Sequence, residues 1–229
     1  DKDPEIPYPY NMDSLSGKAR NKEALLDEVG FKQGLLDRPL FGMISRLSAQ
    51  KGCDLVVQVM EDMVGLGAAV VILGSGEEKY QTLLEDASRR NPGSVSLRIG
   101  FDESLAHRIM AGADMLLIPS LYEPCGLTQM YALKYGTVPL VRATGGLDDT
   151  VEPFDPDTKQ GNGFKFGIYT PEALMESVGH AIRLYKDKAT WQVLMKNGMG
   201  LDFSWDRSAK RYLDLYQSLR MKTARTGVI

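Results

Sequence analysis

Met115-Leu116-Leu117-Ile118-Pro119 is an unbroken apolar run, and within three residues it leads into Tyr122-Glu123-Pro124-Cys125-Gly126-Leu127-Thr128. The run reads as a buried strand. The segment after it reads as a tight loop that carries an acid and a glycine and opens a helix. In open α/β sheets ligands bind outside the carboxyl ends of the strands. Bare backbone N–H groups at a helix start attract phosphate, because they lack partners and lie at the positive end of the helix dipole. One short segment therefore offers an anion cradle and a carboxylate together.

Outward from this stretch, the same alternation repeats. Residues 40–44, 68–73 and 138–141 are further apolar runs, and together with 95–99 they predict strands. Residues 17–29 (closed by Gly30), 53–64, 77–90, 103–110 and 127–135 predict helices. In 53–64 the expected packed face is Val56, Val57, Met60 and Val64. Strands that are apolar throughout suit a sheet covered on both faces. Strand–helix repetition predicts a doubly wound α/β fold with a parallel sheet.

The ends differ. Residues 1–10 hold three prolines and read as an extended linker or arm lying on a surface. Past Asp149 the pattern changes. Residues 152–163, rich in Pro, Asp and Gly, read as a loop, and Thr170-Pro171-Glu172 as a helix start. Ser204 is placed to cap a last helix whose Trp205, Ala209, Tyr212, Leu213, Tyr216 and Leu219 share a face. That aromatic stripe must pack on this sheet or on another domain. The expected division is 1–36 as arm and short helix, 37–203 as the sheet domain and 204–229 as the terminal helix.

Composition narrows the function classes. The chain has 229 residues, 43% hydrophobic and 25% charged, with net charge −3. That balance gives no reason to expect a nucleic-acid partner. No apolar run reaches the roughly 18 residues of a membrane span, so no membrane partner is expected. The first residues show no signal-peptide pattern. The chain begins at Asp1 and reads as a fragment or a processed product. Two cysteines, Cys53 and Cys125, form no disulfide framework and favour a cytoplasmic setting.

The remaining candidates sit where strands end. Arg46 and Lys51, in Ser45-Arg46-Leu47-Ser48-Ala49-Gln50-Lys51-Gly52, precede a helix start whose dipole opposes them. A bound diphosphate gives them a purpose; two solvated cations are the plainer alternative. Gly74-Ser75-Gly76 is a weak signal, since a third glycine of a dinucleotide fingerprint is missing. A tight turn explains it, and Gly74 also allows a nucleotide close to the backbone. Phe101 is either a core residue or a base-stacking one. Gly145-Gly146 allows close approach of a ligand or a helix. His107 and His180 lie in helical patterns and read as surface or packing residues. No metal-ligand spacing occurs, so no metal and no cofactor are expected.

Taken together, these motifs resemble the glycogen synthase and bacterial and plant starch synthase family, retaining glucosyltransferases of the GT-B architecture. The resemblance rests on Ser45-Arg46-Leu47 with Lys51-Gly52, His107-Arg108-Ile109-Met110 with Gly112-Ala113-Asp114, Glu123 through Gln129, Leu133-Lys134-Tyr135-Gly136, and Thr144-Gly145-Gly146-Leu147 with Asp149-Thr150-Val151. Order and spacing match the family's carboxyl-terminal, Rossmann-like half. The resemblance implies ADP-glucose as donor and an α-1,4-glucan as acceptor, with a setting in the cytoplasm or, in a plant, the plastid stroma. It implies that Arg46 and Lys51 hold the distal phosphate and stabilise the leaving diphosphate. Glu123 would contact the glucose hydroxyls. The N–H groups of Gly126, Leu127 and Thr128, beside Cys125, would complete the cradle, and Phe101 would lie by the adenine. The terminal helix would be free to cross to the amino-terminal domain.

Two departures stand out. Related transferases often carry a second glutamate eight positions after the first; here that residue is Tyr131, and synthases of the resembled family lack the second acid too. The family's amino-terminal half, with its Lys-x-Gly-Gly-Leu segment, has no counterpart here. Two other readings remain: a retaining GT-B transferase that uses a UDP-sugar, and a nucleotide-binding module without catalysis.

Overall fold

A computed structural model describes residues 2–31 and 34–226. Asp1, Lys32 and Gln33 of the expected first segment, and residues 227–229 of the expected last helix, lie outside the described residues. Among the described residues six strands form one parallel sheet: β1 (Leu40–Ile44), β2 (Ala69–Gly74), β3 (Val95–Ile99), β4 (Met115–Ile118), β5 (Val138–Arg142) and β6 (Phe164–Phe166). Their spatial order is β3-β2-β1-β4-β5-β6, every neighbouring pair being parallel. The helices are α1 (Ser16–Glu28), α2 (Cys53–Gly65), α3 (Glu78–Arg90), α4 (Glu103–Gly112), α5 (Thr128–Lys134), α6 (Gly145–Thr150), α7 (Pro171–Tyr185), α8 (Lys188–Met199) and α9 (Trp205–Thr226).

The unbroken apolar strands reflect burial on both faces. Phe41, Met43, Val70, Ile72, Met115, Leu117 and Leu140 point into one core with α2, α3, α7 and α8. Their neighbours Leu40, Val71, Leu73 and Leu116 point into a second core with α1 and α4. Each such side chain contributes about 1.5–3 kcal/mol when fully buried, so the sheet rather than any one helix carries the fold. Gly42 in β1 lets α4 approach, since a Cβ there would lie 2.5 Å from Ile109.

The doubly wound parallel sheet is the architecture expected from the sequence. In detail the face of α2 turns: Val56, Val59, Met60 and Met63 are buried, while Val57 and Val64 lie at its margin. Past Asp149 the alternation continues through β6, α7 and α8, of which local sequence patterns mark only the start of α7. The stripe on α9 does not pack on this sheet: Trp205 is 89% exposed, and Tyr212, Leu213, Tyr216 and Leu219 are each at least half exposed. The amino-terminal arm is held down. Ile6 and Tyr10 are buried, the Tyr10 hydroxyl donates to the Tyr135 carbonyl at 2.7 Å, and Asn21 donates to the Tyr8 carbonyl at 2.6 Å. No described helix is long and apolar enough to cross a membrane.

Candidate functional site

The order of strands reverses between β1 and β4. At that switch point the loops leaving the two carboxyl ends diverge to opposite faces and open a crevice. Both loops carry the chemistry read from the sequence. After β1, Ser45-Arg46-Leu47-Ser48 leads through a short 3-10 turn, Ala49–Lys51, to Gly52 and α2. After β4, Pro119 to Leu127 leads to α5.

The two loops touch. The Leu121 amide donates to the Gln50 carbonyl at 2.8 Å. Gly52 has φ +79°, and a Cβ there would lie 2.2 Å from the Pro119 carbonyl oxygen, so only glycine allows this approach. Lys51 Nζ then reaches Glu123 Oε2 at 2.5 Å, with Ser120 Oγ donating to the same oxygen at 3.1 Å. The Glu123 side chain is 12% exposed and that of Lys51 27%, so the pair is largely withdrawn from water. Arg46, by contrast, is exposed and has no ion-pair or hydrogen-bond partner for its side chain among the described residues.

Two cavities adjoin here. The larger, of about 820 Å³, is lined by Arg46, Gly74, Phe101, His107, Thr128 and Tyr131 among others. That size suits a nucleotide-sized ligand. The smaller, of about 90 Å³, holds Lys51, Ser120 and Glu123, and the two share Ile44, Ser45 and Thr128. Phe101 is 91% exposed, which removes the core alternative left open by the sequence. Gly74 lies on the cavity wall, but its missing side chain already has a structural cause: a Cβ would fall 1.9 Å from the Ser45 carbonyl oxygen.

The backbone N–H groups of Gly126, Leu127 and Thr128 donate to no acceptor among the described residues. Cys125 is exposed and its thiol faces the Gly126 carbonyl at 3.6 Å. Gly145 and Gly146 make their close approach to protein. Gly146 donates to the Glu123 carbonyl at 3.1 Å, and a Cβ on it would lie 1.9 Å from the Cys125 carbonyl oxygen. The Glu123–Cys125 backbone is thus seated on the start of α6.

Sequence reasoning assigned no site role to Tyr131 and Tyr135, which line the larger cavity. They fall three and seven positions after Thr128, on one face of α5 and its C-cap, a helical spacing that could have been read. His107 Nδ1 lies 2.8 Å from Asp3 Oδ2 and 3.1 Å from the Tyr135 hydroxyl, and Tyr135 also bonds Asp3. Burial and that hydrogen bond push the Tyr135 phenol above its ordinary range. This triangle joins the arm to the cavity wall, and nothing local in sequence links residues about a hundred positions apart. His180 packs edge-on against Phe164 at 5.4 Å, away from the site. No cluster of metal-ligating side chains occurs among the described residues.

Comparison with known proteins adds independent findings. The profile of the family described as Glycosyl transferases group 1 matches residues 27–194. The chain is 48% identical over 215 residues to the glycogen synthase of Koribacter versatilis (strain Ellin345), covering 94% of this chain and 44% of that protein. It is 49% identical over 218 residues to the glycogen synthase of Geotalea uraniireducens (strain Rf4), covering 95% and 44%. The chain therefore spans less than half the length of these relatives. Among solved structures, the catalytic domain of Starch Synthase IV from Arabidopsis thaliana, bound to ADP and acarbose, superposes with TM-score 0.88 at 38% identity, covering 95% of this chain and 45% of that one. Sucrose-phosphate synthase from Thermosynechococcus elongatus, at 21% identity and TM-score 0.63, covers 95% and 52% and shares the fold alone.

Proposed function

The chain belongs to the group 1 glycosyl transferases, and from that premise we propose that it is the donor-binding half of a glycogen or starch synthase, moving glucose from ADP-glucose to the non-reducing end of an α-1,4-glucan. The observation that carries this reading is the likeness to glycogen synthases along 94–95% of the chain. The starch synthase neighbour with bound ADP supports adenine as the base.

In this reading the nucleotide fills the larger cavity with its adenine beside Phe101. The diphosphate reaches Arg46, Lys51 and the free N–H groups of Gly126, Leu127 and Thr128, with Cys125 beside them and Gly74 on the opposite wall. The glucose enters the smaller cavity, where Glu123 accepts from its hydroxyls. As the bond from the anomeric carbon to the diphosphate oxygen breaks, its electron pair stays on the diphosphate, while the acceptor's 4-hydroxyl oxygen bonds the anomeric carbon and its proton passes to the departing diphosphate. Arg46 and Lys51 stabilise that growing charge, Lys51 from a position largely withdrawn from water. No metal is needed for this neutralisation. Lys51 already holds Glu123, so it is fixed in place before the donor arrives. Glu123 orients the sugar rather than attacking it, because a nucleophile needs a partner acid or base and position 131 is tyrosine.

We also assign the residues by the division 1–36, 37–203 and 204–229. The exposed stripe of α9 is the surface that meets the amino-terminal half, which with the glucan completes the set of partners. The setting is the cytoplasm, or the plastid stroma in a plant. Titration calorimetry of this chain with ADP and UDP tests the donor assignment. ADP is expected to bind, weakly for want of the closing half, and more tightly than UDP. Equal affinities, or none, would sink it.

A further inference from the structure

We infer that Gln129 is a positioning residue for the donor's phosphates: its buried amide turns the peptide groups of the Cys125–Leu127 loop so that their N–H groups face outward as a preformed anion cradle. This rests on the donor-site reading above and deepens it.

Gln129 is fully buried at the start of α5. Its Nε2 donates to the Cys125 carbonyl at 3.2 Å, to the Gly126 carbonyl at 3.0 Å and to Thr150 Oγ1 at 3.1 Å. Thr150 Oγ1 in turn donates to the Gly146 carbonyl at 2.5 Å, which ties the amide to α6. All described peptide bonds are trans. In a trans peptide the C=O and N–H point in opposite directions. Two carbonyls drawn inward to one NH₂ group therefore turn the N–H groups of Gly126 and Leu127 outward, and both lack a protein acceptor among the described residues.

The other end of the side chain argues that this arrangement is not generic packing. Gln129 Oε1 is a buried polar atom with no hydrogen-bond partner among the described residues. Such an atom costs folding free energy, and a methionine or leucine of similar size would avoid that cost. Exchanging the two amide ends would be worse, since Oε1 would then face two carbonyl oxygens. Gly126, at φ +73°, leaves room for this oxygen: a Cβ there would lie 2.6 Å from it. The unpaired acceptor is the consequence of using the NH₂ group as a clamp.

The experiment compares ADP with adenosine, which has the same base and no phosphate. Gln129→Met keeps length and burial while removing both donors. Its ADP affinity, by titration calorimetry, is expected to fall about tenfold or more, as for loss of hydrogen bonds to a charged group. Adenosine affinity should stay within about twofold, as it would not if Gln129 only maintained packing. Equal losses for both ligands, or no loss for ADP, would overturn the proposal. Amide hydrogen exchange on the unaltered chain decides the matter even if the variant fails to fold. The Gly126 and Leu127 amides should exchange rapidly alone, slow with ADP, and stay fast with adenosine. Protection before ADP is added, or none after, would also overturn it. If the unaltered chain binds ADP no better than adenosine, the donor-site reading itself fails; a clear ADP preference that survives Gln129→Met removes only the role of Gln129.

Discussion

Lys51 Nζ and Glu123 Oε2 lie 2.5 Å apart, although 72 positions separate the residues, and this pair bridges the two loops that diverge at the switch point of the sheet. A cation of the β1 loop is thereby fixed to the acid of the β4 loop, while Arg46, five residues earlier, stays unpaired among the described residues.

The two cations should therefore respond differently to removal. Arg46→Ala deletes only a ligand contact. ADP binding is expected to weaken by about 1.5–3 kcal/mol, the worth of a hydrogen bond to a charged group, with urea unfolding unchanged within about 0.5 kcal/mol. Lys51→Ala should weaken ADP binding and also lower stability, because it strands a carboxylate that is only 12% exposed. The double variant with Glu123→Ala should recover part of that stability loss, since the two residues are coupled. Unchanged ADP affinity in both single variants would remove them from the phosphate site.

The thiols should separate by the same geometry. Cys53 is completely buried, and burial pushes its thiol up to about 11. At pH 8 only about one Cys53 in a thousand is then a thiolate, the reactive form. Cys125 is exposed in the cradle loop. Mass mapping after brief alkylation is expected to find Cys125 modified first and protected by ADP. Cys53 modified first, or no protection, would contradict the placement of this loop beside the ligand.

Much of this fold could be read from the chain because a parallel sheet writes itself plainly. Strands β1, β2, β4 and most of β5 are apolar on both faces, and Gly30 and Pro171 mark helix ends. What escaped had weak local signals. β6 has three residues, and α6 begins with two glycines, poor helix formers whose place is set by the contact of Gly146 with the Glu123 carbonyl. α8 carries Trp191, Leu194 and Met195 at helical spacing, but only Lys186 and Asp187 separate it from α7. The site divides likewise. Topology brings the β1 and β4 loops together, whereas the pairing of Lys51 with Glu123 depends on tertiary packing that no local pattern encodes; the Gln129 clamp is local to Cys125 and Gly126 and takes only its third partner, Thr150, from a distant element.

Lys18 gives a prediction for pH. Its ammonium is enclosed against the end of α4 and donates to the carbonyls of Ala111 and Ala113 and to Thr137 Oγ1, at 3.1, 3.0 and 2.7 Å. Burial, aided by Lys22 and opposed by Asp114, pushes its pKa down to about 7 from an ordinary 10.5. Between these values the unfolded chain holds a proton that the folded chain has released. The unfolded state then binds more protons, so this residue's contribution to stability rises with pH across that window. Below about pH 7 both states are protonated and the full penalty of the buried charge remains. Urea unfolding at pH 7 and pH 9 should show the native chain gaining stability relative to Lys18→Met. A difference that does not change with pH would mean that Lys18 stays charged in the fold.

Gly146→Ala tests whether the seat beneath the acidic loop matters to the ligand. Gly146 has an ordinary helical conformation, so the substitution introduces no backbone strain of its own. The new Cβ would, however, meet the Cys125 carbonyl oxygen at 1.9 Å, far inside contact distance, and that oxygen belongs to the backbone. The Glu123–Cys125 segment must move, and with it Glu123, its bond to Lys51 and the cradle N–H groups. Overpacking of this kind costs about 1–3 kcal/mol of stability. ADP affinity should fall as well, because a displacement of about 1 Å is enough to misalign hydrogen bonds to phosphate. Gly65→Ala is the control: it lies in a helix with nothing within 4 Å of the added Cβ, so it should leave binding alone and stabilise slightly, as alanine is the better helix former. If Gly146→Ala binds ADP as tightly as the native chain while Gly65→Ala behaves as expected, the cradle does not depend on its support by α6.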